Sequence, residues 1–555
     1  MNTPSDKAGA SRSNETEPVA IIGIGCRFPG GVNGPESFWN ALVNGLDAIA
    51  EVPASRFDIN AFYDSKPATP GKVMTRWGGF LEDIDKFDAL FFGISPREAD
   101  RMDPQQRLLL ETAWEALEDA GQAADKLVGS QTGVFVGLWL NDYEARMFND
   151  PALVDFYMTT GSGRYSASGR LSYAFGFQGP SLTLDCACSS SLVAIHLACQ
   201  SLRTGECSLA LAGGANVILQ PHITIAYSQS KMMAPDGHCK FGDARADGYV
   251  RSEGAGVVAL KRLSQAIADG DPIYAVIRGS AVNNDGRSSG FLATPGQAGQ
   301  EEMLVKAYRH ANIDPGQVHY VEAHGTGTAA GDPVELGALG AVLGKDRSPD
   351  HPCIVGSVKT NFGHTEGAAG VAGLIKVALS LKHKQIPATL HFQTPNPNIP
   401  WDDLKLTVKP TLTPWPADSG PALPPVAGVS SFGIAGTNAH IVLQEAPQLD
   451  GKAPLPDERV QLLPLSAHTP EALSALARAY HQLPREAANN QSLHDICYTT
   501  SVRRAHHDHR LALVVHNREE LAEHLQAFLQ GEARPGLSSG VKGSDLLRKV
   551  VFVFP

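Results

Sequence analysis

Residues 181–205, SLTLDCACSSSLVAIHLACQSLRTG, change their hydrophobic period part-way along. Leu182 and Leu184 alternate as in a short buried strand. After a tight turn, Leu192, Val193, Ile195, Leu197 and Leu202 recur at helical spacing until Gly205 supplies a stop. The spacing therefore predicts a strand, a turn and a helix, the building unit of an α/β fold. Cys188 falls at the first turn of that helix, where unpaired backbone N–H groups and the helix dipole favour a thiolate over a thiol.

A free cysteine is most often a small buried hydrophobe, so position alone does not make Cys188 a nucleophile. Two histidines strengthen the reading. His324 in VEAHGTGT and His364 in VKTNFGHTEG each occupy a glycine- and threonine-rich turn just after a strand-like run. A thiolate with two neutral imidazoles on such turns reads as covalent acyl transfer: the sulfur accepts an acyl group and the imidazoles stabilise charge developing on a carbonyl oxygen. Gly325, Gly327 and Gly363 would let substrate approach the backbone, and Thr326 and Thr328 offer hydroxyls to an amide-bearing arm.

Working outward, the chain alternates strand and helix. VAIIGIGCRFPGG from Val19 gives a strand and a glycine turn; Gly23 and Gly25 do not open a dinucleotide site, because Phe28 holds the third glycine position. The run from Asp103 to Gly121 is the clearest helix, with Asp103 as cap, Pro104 at the first helical position and an apolar side ending at Leu117. From residue 274 the pattern begins again, through YAVIRGSAV, VHYVEA, CIVGSV and VAGVSSFGIAGTNAHIVLQEA. This predicts largely parallel sheets covered on both faces, in two related halves. Past Pro447 a linker leads to a smaller α/β unit. Its HHDH run (His506, His507, Asp508, His509) fits no tetrahedral ligand spacing, and no metal is assigned.

Composition sets the class. The 555 residues are 43% hydrophobic, enough for a large core and more than one domain. A formal charge of −12 argues against a nucleic-acid binder. Eight cysteines without a disulfide-framework spacing fit a reducing, cytoplasmic compartment, and no apolar run is long enough to span a membrane.

At this point the motifs converge on a family. AIIGIGCRFPGG, FFGISPREADRMDPQQRLLLE, LDCACSSS, EAHGTGTAAGDPVE, GSVKTNFGHTEGAAG and SSFGIAGTNAH together resemble the ketosynthase domain of modular type I polyketide synthases, a thiolase-like condensing enzyme, from about Pro18 to Glu445. The resemblance implies a thiolase-like fold of two similar βαβαβαββ halves in α/β/α/β/α layers, followed by a small α/β linker domain. It suggests a disordered leader at 1–17, halves at 18–270 and 271–446, the linker domain at 447–548, and in VVFVFP at 549–555 the first strand of an acyltransferase domain.

The implied reaction is decarboxylative Claisen condensation of a Cys-bound acyl chain with a malonyl-type extender, giving a β-ketoacyl thioester. Cys188 would accept the acyl chain; His324 and His364 would serve decarboxylation. Lys359 would organise the histidine pocket and keep the imidazoles neutral. The N–H groups of Cys188 and Ile434 would form the oxyanion hole, and Thr326 and Thr328 would hold phosphopantetheine. No cofactor is bound covalently; substrates ride on the phosphopantetheine of an acyl carrier protein. A homodimer and a downstream acyltransferase domain are the other implied partners. The alternative is a non-elongating scaffold that only passes chains, which would predict a missing histidine.

Overall fold

The computed structural model describes residues 17–287, 290–416, 424–448, 459–483 and 492–543. The leader up to residue 16, most of the linker after Pro447 and the expected acyltransferase strand lie outside these residues. The chain divides into two compact units. The larger takes in most of the chain up to Ala446; the smaller joins residues from Pro447 onward to Leu90–Gly93 and Gly121–Val128.

In the larger unit an internal repeat is written in the strand order. The first half runs Val19–Arg27, Gly254–Arg262, Leu209–Asn216, Thr132–Leu138, Ser181–Leu184 across the sheet. The second half runs Ala275–Asn284, Thr437–Glu445, Val426–Phe432, Tyr320–Glu322, Cys353–Gly356, with Leu406–Val408 added at its edge. In both, the first, fifth, fourth, second and third strands of the half follow one another, and both halves pair antiparallel twice and then parallel twice. Val19–Arg27 and Ala275–Asn284 pair antiparallel where the halves meet. The fold is α/β and thiolase-like.

Two expectations need correction. The sheet is mixed, because the last strand of each half returns beside its predecessor and turns the central pairings antiparallel. Among the described residues Ser181–Leu184 is an edge strand paired on one side only, and Leu182 is 50% exposed.

The helix ends follow local chemistry. Helix Pro104–Asp119 starts where the Asp103 carboxylate accepts the Gln105 N–H, 2.8 Å away. It packs against Gly23 and Gly25, where an added Cβ would fall 2.2 Å and 2.0 Å from the carbonyl oxygens of Ala116 and Thr112. Those glycines are packing positions.

Helices Ser190–Thr204 and Ala369–His383 lie against each other. Every residue from Ala369 to Leu381 is buried, as expected of a helix that is apolar all round. Small residues allow the approach: a Cβ at Gly370 would meet the Leu192 nitrogen at 2.7 Å, and Ser191 Oγ accepts the Val371 N–H at 3.1 Å. The one charge in that buried run, Lys376, is paired with Glu322 at 2.8 Å.

The smaller unit carries a three-stranded antiparallel sheet, Gln461–Ala467, His509–Val515 and Leu537–Val541, with helices Pro470–His481, Leu493–Val502 and Arg518–Gln530. Leu463, Leu465, Leu511, Leu513, Leu521 and Leu525 fill its core. The HHDH run does not gather as a ligand set: His506 Nε2 faces the Ser501 carbonyl and the His507 ring packs on His468. Among the described residues no helix is long and apolar enough to cross a membrane.

Candidate active site

The strand–turn–helix around Cys188 forms as read, with Cys188 in a short 3-10 turn, Ala187–Ser189, that runs into helix Ser190–Thr204. Ala187 holds φ +53, a left-handed conformation costing a residue with a Cβ about 1–2 kcal/mol. The turn is bound on both sides. Ser190 Oγ accepts the Cys186 N–H at 2.8 Å, and Ser431 Oγ donates to the Cys188 carbonyl at 2.9 Å. A Cβ at Gly433 would fall 2.3 Å from the Cys186 carbonyl oxygen, so strand Val426–Phe432 and the following turn reach this elbow only through glycine. Ile434 sits in that turn, closed by Gly433 N–H to the Thr437 carbonyl at 2.8 Å.

Cys188 keeps some accessible surface, yet the protein around it pushes its thiol up to about 12. Burial is the largest cause; the Glu366 carboxylate adds to it, and Lys359 opposes it. A helix start contributes up to about 2 kcal/mol, or about 1.5 pH units. That is less than the rise from 9 to about 12, so the thiolate expected from position alone is not the resting form.

His364 is held by its backbone: its N–H donates to the Val250 carbonyl at 2.7 Å, and its carbonyl accepts the Ser252 N–H at 2.9 Å. The Glu366 N–H donates to His364 Nδ1 at 3.2 Å, leaving the ring proton on Nε2. The Tyr249 ring meets the imidazole edge-on at 5.2 Å. His324 stands 5.2 Å from His364, ring centre to centre, and 5.5 Å from Phe432. Burial and then the Lys359 charge hold both imidazoles well below the usual histidine range, hence neutral. Lys359 itself is buried on the short helix Lys359–Phe362, and its ammonium donates to the His324 carbonyl.

The structure thus brings His324, His364, Lys359 and Cys188 into one electrostatic neighbourhood, in which the Lys359 ammonium acts on the thiol and on both rings. Thr326 and Thr328 lie in the His324 turn with their hydroxyls 3.1 Å apart. Gly327 in the His324 turn is required by the packing of the protein itself. A Cβ at Gly327, φ +78, would fall 2.6 Å from the Lys240 nitrogen, so the close approach is made by the protein itself.

The chain matches the family model "Beta-ketoacyl synthase, N-terminal domain" over residues 16–266, the C-terminal domain model over 274–393, and "Ketoacyl-synthetase C-terminal extension" over 395–514. The chain belongs to the β-ketoacyl synthase family. It is 46% identical over 538 residues to one component of the phenolphthiocerol/phthiocerol polyketide synthase of Mycobacterium tuberculosis, covering 96% of this chain and 34% of the relative. With another component of that synthase, from Mycobacterium bovis, it shares 47% over 522 residues, 94% of this chain and 28% of the relative. The chain therefore spans about a third of the length of the curated relatives it matches. Among solved structures it resembles the ketosynthase from module 6 of the bacillaene synthase of Bacillus subtilis 168, with TM-score 0.83, 37% identity and coverage of 95% and 87%. An oxazolomycin ketosynthase domain of Streptomyces albus JA3453 superposes with TM-score 0.87 at 37% identity, covering 95% and 90%.

A ketosynthase is an acyl-transferring condensing enzyme, and this one carries supporting groups that its motifs did not announce. Glu335 accepts the N–H groups of His324 and Gly325 at 2.7 Å and 2.8 Å, and Asp332 accepts those of Gly327 and Gly242 at 3.0 Å and 2.9 Å. Burial raises both carboxyls, Asp332 to about 7, against the pull of those N–H donors. Behind His364, the Arg251 guanidinium pairs bidentately with Glu366 at 2.6 Å and 2.8 Å, and Asn216 Nδ2 donates to the same carboxylate at 3.0 Å. The only trace of these in the sequence is charge inside otherwise apolar or glycine-rich runs: GDPVE at 331–335 and YVRSEG at 249–254.

Proposed function

We propose that this ketosynthase extends an acyl chain in polyketide biosynthesis in two half-reactions. In the first, the Cys188 sulfur attacks the carbonyl of an acyl thioester. The S-acyl bond forms, the phosphopantetheine thiol of an acyl carrier protein leaves, and the proton lost by Cys188 goes to that thiolate. In the second, a malonyl-type thioester loses carbon dioxide to give an enolate. Its carbon attacks the Cys188-bound carbonyl, the C–C bond forms, and the Cys188 sulfur leaves as a thiolate that takes a proton from water. The product is a β-ketoacyl thioester on the carrier.

The roles follow from donors and charge. His364 offers an Nε2–H and His324 a neutral ring to the extender carbonyl as enolate charge develops, where preorganised donors are worth most. Lys359 positions His324 through its carbonyl and keeps both rings neutral. The N–H groups of Cys188 and Ile434 serve as the oxyanion hole, and Thr326 and Thr328 hold the phosphopantetheine amides. The observation that carries this reading is the pair of neutral imidazoles 5.2 Å apart, with the Lys359 ammonium bound to the His324 carbonyl.

The unpaired edge strand Ser181–Leu184, with Leu182 and nearby Tyr173 exposed, supports a homodimer, since an open strand edge is otherwise a liability. Eight free cysteines fit the cytoplasm. The acyl carrier protein and a downstream acyltransferase domain are the proposed partners. The repeated strand order supports the division into halves at 18–270 and 271–446, and the separate unit supports the linker domain at 447–548.

The test is to incubate the protein with an acyl thioester and malonyl-carrier. Acylated Cys188, released carbon dioxide and an extended carrier-bound product are expected; acylation with neither of the others would leave the chain-passing scaffold.

A further inference from the structure

One cluster of side chains stands apart from the thiol and imidazoles. Asp47 follows helix Pro35–Val43, His238 lies in the loop before Lys240, and His391 lies in the loop after Ile386. Their ligand atoms, one from each, all lie within 4.8 Å of one another.

The Asp47 carboxylate is oriented from behind: Oδ1 accepts the Ile49 N–H at 3.2 Å. Oδ2 faces His238 Nδ1 at 3.2 Å and His391 Nε2 at 3.3 Å. Neither nitrogen makes a hydrogen bond there, although both are shut off from solvent. An imidazole nitrogen aimed at a carboxylate without a well-directed N–H between them is unfavourable unless something positive lies among the three atoms.

The spacing fits a metal ion as that positive group. Ligand bonds of about 2.0–2.1 Å at tetrahedral angles place neighbouring ligand atoms about 3.3 Å apart. The two nitrogen-to-oxygen separations have that length. The ring centres lie 4.2 Å apart at a 30° tilt, and both nitrogens face the same carboxylate oxygen. His391 also adopts φ +62, left-handed backbone that a residue with a Cβ holds only when its surroundings impose it. Arg245 holds it there by donating to the His391 carbonyl at 2.9 Å, and Asp243 accepts the N–H groups of Gln393 and Thr394.

We propose that Asp47, His238 and His391 bind a divalent transition-metal ion of the Zn2+ and Co2+ class. Two imidazoles and a carboxylate suit such ions, whereas Mg2+ and Ca2+ take all-oxygen shells. All three side chains keep an exposed edge, so the fourth position goes to water. The ion ties together loops that brace the turn carrying Lys359. The Ala48 N–H donates to the Asn361 carbonyl at 2.8 Å, and the Leu390 N–H donates to Thr360 Oγ1 at 3.0 Å. Its role is to hold that turn.

The full chain carrying Cys188→Ser, which removes the pocket thiol as a competing ligand, is titrated with Co2+ and, by calorimetry, with Zn2+. One equivalent is expected to bind, with the visible absorption of tetrahedral Co2+ and no near-ultraviolet thiolate band, and Zn2+ should raise the melting temperature. His238→Gln and Asp47→Asn should each weaken binding by about 100-fold or more. Because His238 is the most exposed of the three, His238→Gln alone suffices should His391→Gln fail to fold, and near-ultraviolet circular dichroism monitors folding. Binding unchanged in His238→Gln, a thiolate band, or no binding by the parent would each overturn the site.

Discussion

The backbone N–H of Glu366 donates to Nδ1 of His364 while the Glu366 carboxylate is clamped by Arg251. One residue thus sets the tautomer of an imidazole with its main chain and neutralises a buried cation with its side chain. Glu366 makes both contacts with φ +44, left-handed backbone that is strained for a residue with a Cβ. The consequence is a His364 that can only donate into the pocket from Nε2.

That donation is testable by separating the half-reactions. His364→Ala should still acylate Cys188, seen by intact-protein mass spectrometry. It should lose about 10²- to 10³-fold in release of carbon dioxide from malonyl-carrier. Equal loss of both steps would refute the assigned role.

The Cys188 thiol, pushed up to about 12 mainly by burial, predicts a particular alkylation profile. Its rate with iodoacetamide should climb steadily from pH 7 to pH 10 without levelling off, because the thiolate fraction rises throughout. Fragment mass spectrometry distinguishes Cys188 from Cys186. A plateau near pH 8 would mean that the helix start outweighs burial.

Glu366→Gln should act in opposite directions on stability and on the thiol. Leaving Arg251 buried without its partner costs about 3–5 kcal/mol, read by urea unfolding. Removing the carboxylate that raises the Cys188 thiol should move its alkylation profile to lower pH. A second change, Arg251→Met in the same chain, should recover part of the stability.

His440 offers a clean pH test. It is buried between the Ser430 hydroxyl at 2.9 Å and the Tyr308 hydroxyl at 3.0 Å, and burial lowers it from 6.5 to about 3. The unfolded chain takes up a proton below pH 6.5 that the folded chain refuses, so its stabilising contribution is present above 6.5 and is lost as pH falls towards 3. Between pH 6 and 4 the unfolding free energy of His440→Gln should fall less steeply than that of the parent, by about 1.4 kcal/mol per pH unit. Asp332, raised to about 7, works in the other direction but equally in both proteins.

Much of this protein was legible in its residues. The change from strand to helical period after Leu184, the Asp103 cap and the Gly205 stop each depend on a few neighbours, and all three stand in the structure. The motifs around Cys188, His324 and His364 were enough to reach the β-ketoacyl synthase family. Asp332 and Glu335 escaped the reading although they lie in a quoted motif, because nothing in GDPVE says that its carboxylates turn back onto the preceding N–H groups.

The sequence by itself determined the order of elements, the cysteine at a helix start and the histidine turns, since propensity, capping and turn chemistry act over a few residues. Tertiary structure alone decided the antiparallel centre of the sheet, the exposed edge at Leu182, the protonated thiol and the meeting of Asp47 with His238 and His391. Strand pairing, desolvation and ligand convergence depend on groups distant along the chain. Their energies exist only once the fold has brought those groups together and removed the water between them.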